Sequence, residues 1–129
     1  MEQSILVVED TPFYGRLMVY LLSCQNLYQT QWANTGHQAL LLAQQSVPLL
    51  FLLDYRLPDM TGIALYDRLH ALVKRERVPA LLLSADFPSR EIEEQLTLRK
   101  ISGMRKPFKA EEFLLSVERL IKNQNLSLL

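Results

Sequence analysis

The chain has 129 residues, 49% hydrophobic and 22% charged, which fits one soluble globular domain with a sizeable core. Fourteen basic residues offset fourteen acidic ones, so nothing electrostatic draws the protein to nucleic acid or to an anionic membrane. The one cysteine, Cys24, excludes an internal disulfide and a thiolate metal cluster and suits a cytosolic thiol, and no apolar run approaches the roughly 20 residues of a membrane span.

The N-terminal residues are not basic and lead straight into a strand, so no signal peptide is expected and the protein is read as cytoplasmic. Ile5, Leu6, Val7 and Val8 form a short apolar run that ends in two acids, Glu9 and Asp10. Thr11 and Pro12 then supply a helix cap and a proline at the first helical position. Tyr14, Leu17, Met18 and Leu21 recur at helical spacing, with an end expected near Gln25 and Asn26. Tyr28–Trp32 reads as a second strand. Thr35 and Gly36 open a helix with Ala39, Leu40 and Ala43 on one face, and Val47 and Pro48 break it.

Leu49 to Leu53 is a continuous apolar run closed by Asp54. It reads as a strand buried on both faces, which delivers one carboxylate to the carboxyl edge of a sheet. Pro58 to Gly62 reads as a loop. Thr61 caps a helix with Leu65, Leu69, Leu72 and Val73 inward, and the charge run Lys74 to Arg77 is its solvated end. Ala80 to Leu83 is a fourth buried strand, followed by Ser84, Ala85 and Asp86. Pro88 and Ser89 precede a polar helix from Arg90 to about Arg99, whose apolar positions are Ile92, Leu96 and Leu98. Ile101–Arg105 is a fifth strand, closed by Lys106, Pro107 and Phe108. A last helix runs from about Ala110 to Lys122, with Phe113, Leu114, Val117, Leu120 and Ile121 inward and Glu111 and Glu112 at its positive end. Residues 1–122 are thus read as one domain, and 123–129 as a tail or the start of a linker. His37 and His70 are read as surface residues, Trp32 and the tyrosines as packing.

Five strands alternating with five helices predict an α/β fold, one doubly wound parallel sheet with helices on both faces. In such a sheet the strand ends share one edge. Glu9, Asp10, Asp54, Ser84 and Lys106 therefore meet there. Three carboxylates packed together repel one another and resist ionisation. A hard divalent cation such as Mg²⁺, held by oxygen ligands, relieves that repulsion. With a lysine charge and a serine hydroxyl beside it, Asp54 sits in a site for a phosphoryl group, as the nucleophile.

These motifs taken together (Val8-Glu9-Asp10, Asp54 through Gly62, Ser84-Ala85 and Lys106-Pro107-Phe108) resemble the response-regulator receiver domains of two-component systems, chemotaxis receivers included. The resemblance runs from Ile5 to about Lys122. It implies a flavodoxin-like five-stranded parallel sheet in the order 2-1-3-4-5 with five helices; that order is inherited from the family. It implies that Asp54 accepts a phosphoryl group from a phosphohistidine on a histidine kinase or histidine phosphotransfer protein. Asp10 and Asp54 would ligate Mg²⁺, with Glu9 as a ligand or acting through a metal-bound water, and the backbone carbonyl of Arg56 would complete the protein's share. Ser84 would bond a phosphoryl oxygen, Lys106 would pair with the phosphate, and the Lys106–Pro107 bond would be cis. The output would be a conformational change read by a partner or an attached output domain. The protein would be a switch and not an enzyme.

One position departs from the family. Receivers carry Tyr or Phe three residues before the lysine, and that ring turns inward when the Ser/Thr moves toward the phosphate. Here the residue is Gly103, and Met104 should face the other side of the strand, unless the strand is bulged or shifted. The aromatic half of the usual relay is therefore missing. Arg56 and Asp86 each lie two residues beyond a site residue. They either pair across the pocket mouth and hinder water, or stand as independent exposed side chains; exposed pairs contribute only about 0–1 kcal/mol, and the second reading is preferred. Arg90, Glu91, Glu94, Arg99, Lys100, Glu118 and Arg119 on the fourth and fifth helices offer charges for a two-fold homodimer or simply a solvated face.

Other classes fit less well. A haloacid-dehalogenase-like phosphohydrolase wants a second acid where Arg56 stands. A flavin or nucleotide binder wants a glycine-rich phosphate loop, and the first loop here carries two acids. A receiver that binds a partner without phosphorylation is the remaining alternative, kept open by Gly103. No DNA-binding motif is present.

Overall fold

The computed structural model describes residues 3–74 and 77–127. Arg75 and Glu76, in the middle of the predicted charge run, lie outside the described residues. The elements follow in strict alternation: β1 (Ser4–Val8), α1 (Pro12–Ser23), β2 (Gln29–Ala33), α2 (Gly36–Gln45), β3 (Leu50–Asp54), α3 (Gly62–Val73), β4 (Ala80–Ser84), α4 (Arg90–Arg99), β5 (Ser102–Arg105) and α5 (Ala110–Ser127). All five strands are parallel, in the order β2-β1-β3-β4-β5.

Every residue of β1, β3 and β4 is buried, as apolar runs without alternation require. Their side chains go alternately to two cores. Leu6, Val8, Phe51, Leu53 and Leu82 pack under α2, α3 and α4. Ile5, Val7, Leu50, Leu52, Leu81 and Leu83 pack under α1 and α5. Each fully buried leucine contributes about 1.5–3 kcal/mol of transfer free energy. Truncating the fully buried Leu52 to alanine is therefore expected to cost about 2–5 kcal/mol.

Thr35, Thr61 and Ser89 cap α2, α3 and α4 by accepting from the backbone N–H groups of Gln38, Ala64 and Ile92. Thr11 makes no such side-chain bond; its own N–H donates to Glu9 Oε1 at 3.2 Å, so the predicted cap serves the site instead. Asp59, in the β3–α3 loop, also holds the start of α2: it accepts from the N–H groups of Gly36 (2.9 Å) and His37 (3.0 Å). The helix α1 stops at Ser23, earlier than expected, because Asn26 turns the chain with a φ of 55°. The helix α5 continues to Ser127, past Lys122. Leu72 is 38% exposed, against expectation, and Leu98, one of the few apolar positions of α4, is 76% exposed. Tyr66 takes the inward position on α3 with Leu65, Leu69 and Val73. On α4, Leu98 lies two residues past the inward Leu96, about 200° around the helix. The peptide bonds Lys106–Pro107 and Phe87–Pro88 are both cis. Among the described residues no helix is long and apolar enough to cross a membrane.

Candidate functional site

Strand register assembles the site. Val8 pairs with Leu53, Asp54 with Leu83, and Ser84 with Arg105. The next residues along, Glu9, Asp54, Ser84 and Lys106, therefore emerge side by side at the carboxyl edge. Tyr55 N–H continues the ladder to Leu83 O at 2.9 Å, and Gly62 N–H returns to Tyr55 O at 2.7 Å, so the loop folds back tightly over the acid. A Cβ on Gly62 would collide with the carbonyl oxygen of Asp54, which only glycine avoids.

Glu9 is fully buried, Asp54 and Ser84 are buried, and Asp10 is exposed. One carboxylate oxygen from each of Glu9, Asp10 and Asp54 lies within 4.8 Å of the others. Lys106 Nζ donates to Glu9 Oε2 at 2.8 Å and to Asp54 Oδ1 at 3.0 Å. The backbone N–H of Lys106 donates to Ser84 O at 3.0 Å, and Ser84 Oγ accepts from Asp86 N–H at 3.0 Å. A cleft of about 300 Å³ opens over Asp54, lined by Asp10, Thr11, Ser84, Ala85, Arg56 and Lys106 among others. Glu9, Asp10, Asp54, Ser84 and Lys106 thus come together, and Arg56 lines the same cleft. Arg56 and Asp86 do pair across the mouth, Nη2 to Oδ2 at 2.8 Å, so the expectation of independent side chains is corrected. The loop geometry brings them within reach; the small strength of an exposed pair did not prevent it.

Two supports were not legible in the sequence. Tyr14, read as packing, carries Lys106 Nζ over its ring at 4.3 Å to the centroid. Trp32 Nε1–H donates to Glu9 O at 2.9 Å and holds the first acidic loop. Both depend on how α1 and β2 pack against β1, and no local motif signals that.

The charges do not balance: three acids surround one ammonium. Burial pushes the Asp54 carboxyl above its ordinary pKa, Lys106 pulls it down, and Asp10 pushes it up again; the net direction is up. Glu9 is likewise raised, chiefly by burial, despite its bond to Lys106. Burial opposes the charge on Lys106, but Glu9 and Asp54 outweigh it and its pKa rises. The cluster is a set of hard oxygen donors with surplus negative charge, which suits a divalent cation such as Mg²⁺.

The fold and these strand-end residues define an α/β domain with an acidic pocket at the edge where doubly wound sheets bind their ligands. Residues 5–118 match the response regulator receiver domain family, and the chain belongs to it. Sporulation initiation phosphotransferase F of Bacillus subtilis is 32% identical over 113 residues, 87% of this chain and 88% of that protein. Histidine kinase P4 of Formosa agariphila is 29% identical over 124 residues, 95% of this chain, yet the chain spans only 9% of that kinase's length. The solved structure of the non-phosphorylated HemR receiver domain of Leptospira biflexa has 32% identity and a TM-score of 0.81, covering 93% of this chain and 94% of that one. Receiver domains are signalling switches of two-component systems that pair with histidine kinases or phosphotransfer proteins.

Proposed function

We propose that the protein is a phosphoacceptor switch in which Asp54 takes a phosphoryl group from a phosphohistidine donor. The observation that carries this reading is the buried Asp54 carboxylate, held by Lys106 Nζ at 3.0 Å, beside Ser84 and two further acids at the floor of an open cleft. A carboxylate oxygen of Asp54 attacks the phosphorus. The new O–P bond forms as the P–N bond to the donor imidazole breaks, and the imidazole leaves with the bonding pair and takes a proton. Lys106 holds the nucleophile in place and then has the phosphoryl oxygens within reach. Ser84 donates its hydroxyl to a phosphoryl oxygen, and the small Ala85 leaves the donor a path.

Glu9, Asp10, Asp54 and the backbone carbonyl of Arg56 would hold Mg²⁺, which when bound neutralises the acids and the charge of the transferring group. The protein acts stoichiometrically, as a switch and not as an enzyme, and in the cytoplasm, where histidine kinases present their phosphohistidine. Its output is a population shift of the α4–β5–α5 face, read by a partner, an attached output domain or a second copy through α4 and α5.

Intact-mass spectrometry after treatment with a small phosphodonor tests this. One added phosphoryl group, dependent on Mg²⁺ and absent in Asp54→Asn, is the expected result. A folded protein that gains no adduct, from a small donor or from a phosphorylated kinase, refutes it and leaves phosphorylation-independent partner binding. Continuous phosphate release from many substrates would instead indicate a phosphohydrolase.

A further inference from the structure

The place left empty by Gly103 is filled from another element. A Cβ built on Gly103 would lie 2.6 Å from Phe87 Cε2 and 2.9 Å from Phe87 Cδ2, with Leu96 Cδ1 at 2.7 Å. The ring of Phe87 thus rests directly on the β5 backbone, in the space a β5 side chain would take. Pairing of β4 with β5 is regular through Leu82 and Gly103, so no bulge creates this seat. Met104 points to the opposite core, as strand alternation requires, and does not compete for it. The seat exists because position 103 has no side chain.

Phe87 is also tied to the phosphoryl-sensing residue. It lies three residues after Ser84, at the end of a turn held from both sides of that residue. Asp86 N–H donates to Ser84 Oγ at 3.0 Å, and Phe87 N–H reaches Ser84 O at 3.5 Å. From the turn, the ring comes down on β5 at Gly103, where Leu96 of α4 borders the same space and shares its core cluster.

We propose that Phe87, seated on Gly103, couples the state of Ser84 to the α4–β5 surface, taking over from the β4–α4 loop the role that an aromatic on β5 would otherwise have. The inference rests on the phosphoacceptor reading and concerns the regulation of that same site. When Ser84 Oγ turns toward a phosphoryl oxygen, Asp86 N–H follows it or loses its acceptor. In both cases the turn shifts, and the ring moves with it. Packed interiors do not absorb such a shift, so Leu96 and β5 readjust. A ring that only plugs the gap beside Gly103 would sit still and leave α4 unmoved.

The test is two-dimensional ¹H–¹⁵N NMR of the full chain with Mg²⁺, before and after addition of beryllium fluoride as the phosphoryl mimic. In the unsubstituted protein the amides of Ser84 and Asp86 at the site, and of Leu96 and Ile101 beyond it, are expected to shift. In Phe87→Ala the site amides still shift, while the changes at Leu96 and Ile101 fall to about half or less. Gly103→Ala approaches from the other side. The three atoms nearest its Cβ all belong to the side chains of Phe87 and Leu96 and none to the backbone, so the new methyl displaces the ring. It is expected to move Leu96 before the mimic is added and to blunt the later change to a similar extent. Undiminished shifts at Leu96 and Ile101 in either folded variant overturn the proposal, as does an unsubstituted protein in which only the site amides move. No shift at Ser84 and no phosphoryl adduct in the unsubstituted protein overturn the phosphoacceptor reading itself.

Discussion

Replacing Asp54 by asparagine is expected to stabilise the protein in metal-free, low-salt buffer while abolishing phosphorylation. Asp54 meets one attraction and two repulsions. Lys106 Nζ at 3.0 Å attracts it by about 5.5 kcal/mol at an effective dielectric constant of ~20. Glu9 and Asp10, within 4.8 Å, each repel it by about 3.5 kcal/mol on the same scale. Attraction and repulsion nearly cancel on this scale, and burial, the largest single influence on Asp54, leaves the charged form disfavoured. Asparagine removes all three Coulomb interactions and keeps an acceptor oxygen for Lys106. The expected gain is about 1–2 kcal/mol, or roughly 4–7 °C in Tm for a domain of this size. Adding Mg²⁺ should narrow the gap between the two proteins. A cation at ten times its Kd stabilises the unsubstituted fold by about 1.4 kcal/mol, and the asparagine variant, lacking one ligand charge, gains less. Thermal denaturation followed by circular dichroism, with and without Mg²⁺, measures both effects. An asparagine variant no more stable than the unsubstituted protein without metal, or equal stabilisation of both by Mg²⁺, would refute the reasoning.

Three further outcomes are expected. Arg56→Ala opens the Arg56–Asp86 pair over the cleft and should speed loss of the phosphoryl group from Asp54 by up to about fivefold; an unchanged decay rate removes any role for the pair. Trp32 is the protein's one tryptophan and its indole N–H holds Glu9 O, so Mg²⁺ titration should change its fluorescence, and Asp10→Asn should weaken the response; a flat titration at saturating metal would disconnect it from the site. Burial works against ionised Asp59, but the backbone N–H of Gly36, the His37 ring at 2.9 Å and the His37 backbone N–H outweigh it and hold its pKa down at about 2. Because this pKa lies below the unfolded value of about 3.9, the stabilisation is complete above that value and is lost as pH falls through about 2. Asp59→Ala should cost about 1 kcal/mol at pH 7, and the gap from the unsubstituted protein should close between about pH 4 and pH 2; a gap independent of pH contradicts the assignment.

The alternation of strands and helices, the two-sided burial of β1, β3 and β4, and the meeting of Glu9, Asp10, Asp54, Ser84 and Lys106 were all legible in the sequence. The physical reason is local. Uninterrupted apolar runs have one comfortable place, the centre of a parallel sheet, and each carries its terminal polar residue to the same edge. Helix ends were less legible. Asn26 stops α1 through a backbone conformation, and α5 runs past Lys122 with no local signal to mark where it stops. Leu72 was misplaced because apolar character alone does not choose among neighbouring positions on a helix; packing against the sheet does.

The chemistry of this protein, an acid set with a lysine and a hydroxyl, follows from residue types at strand ends and needs no knowledge of distant contacts. Its fine control does not. Tyr14 under Lys106, Trp32 on Glu9, the Arg56–Asp86 pair and the Phe87 ring on Gly103 join residues far apart in the chain or across a loop. In the sequence, Gly103 reads only as a missing aromatic. The space left by an absent side chain is filled by whichever neighbour the fold brings there, and only the packed structure decides that the neighbour is Phe87.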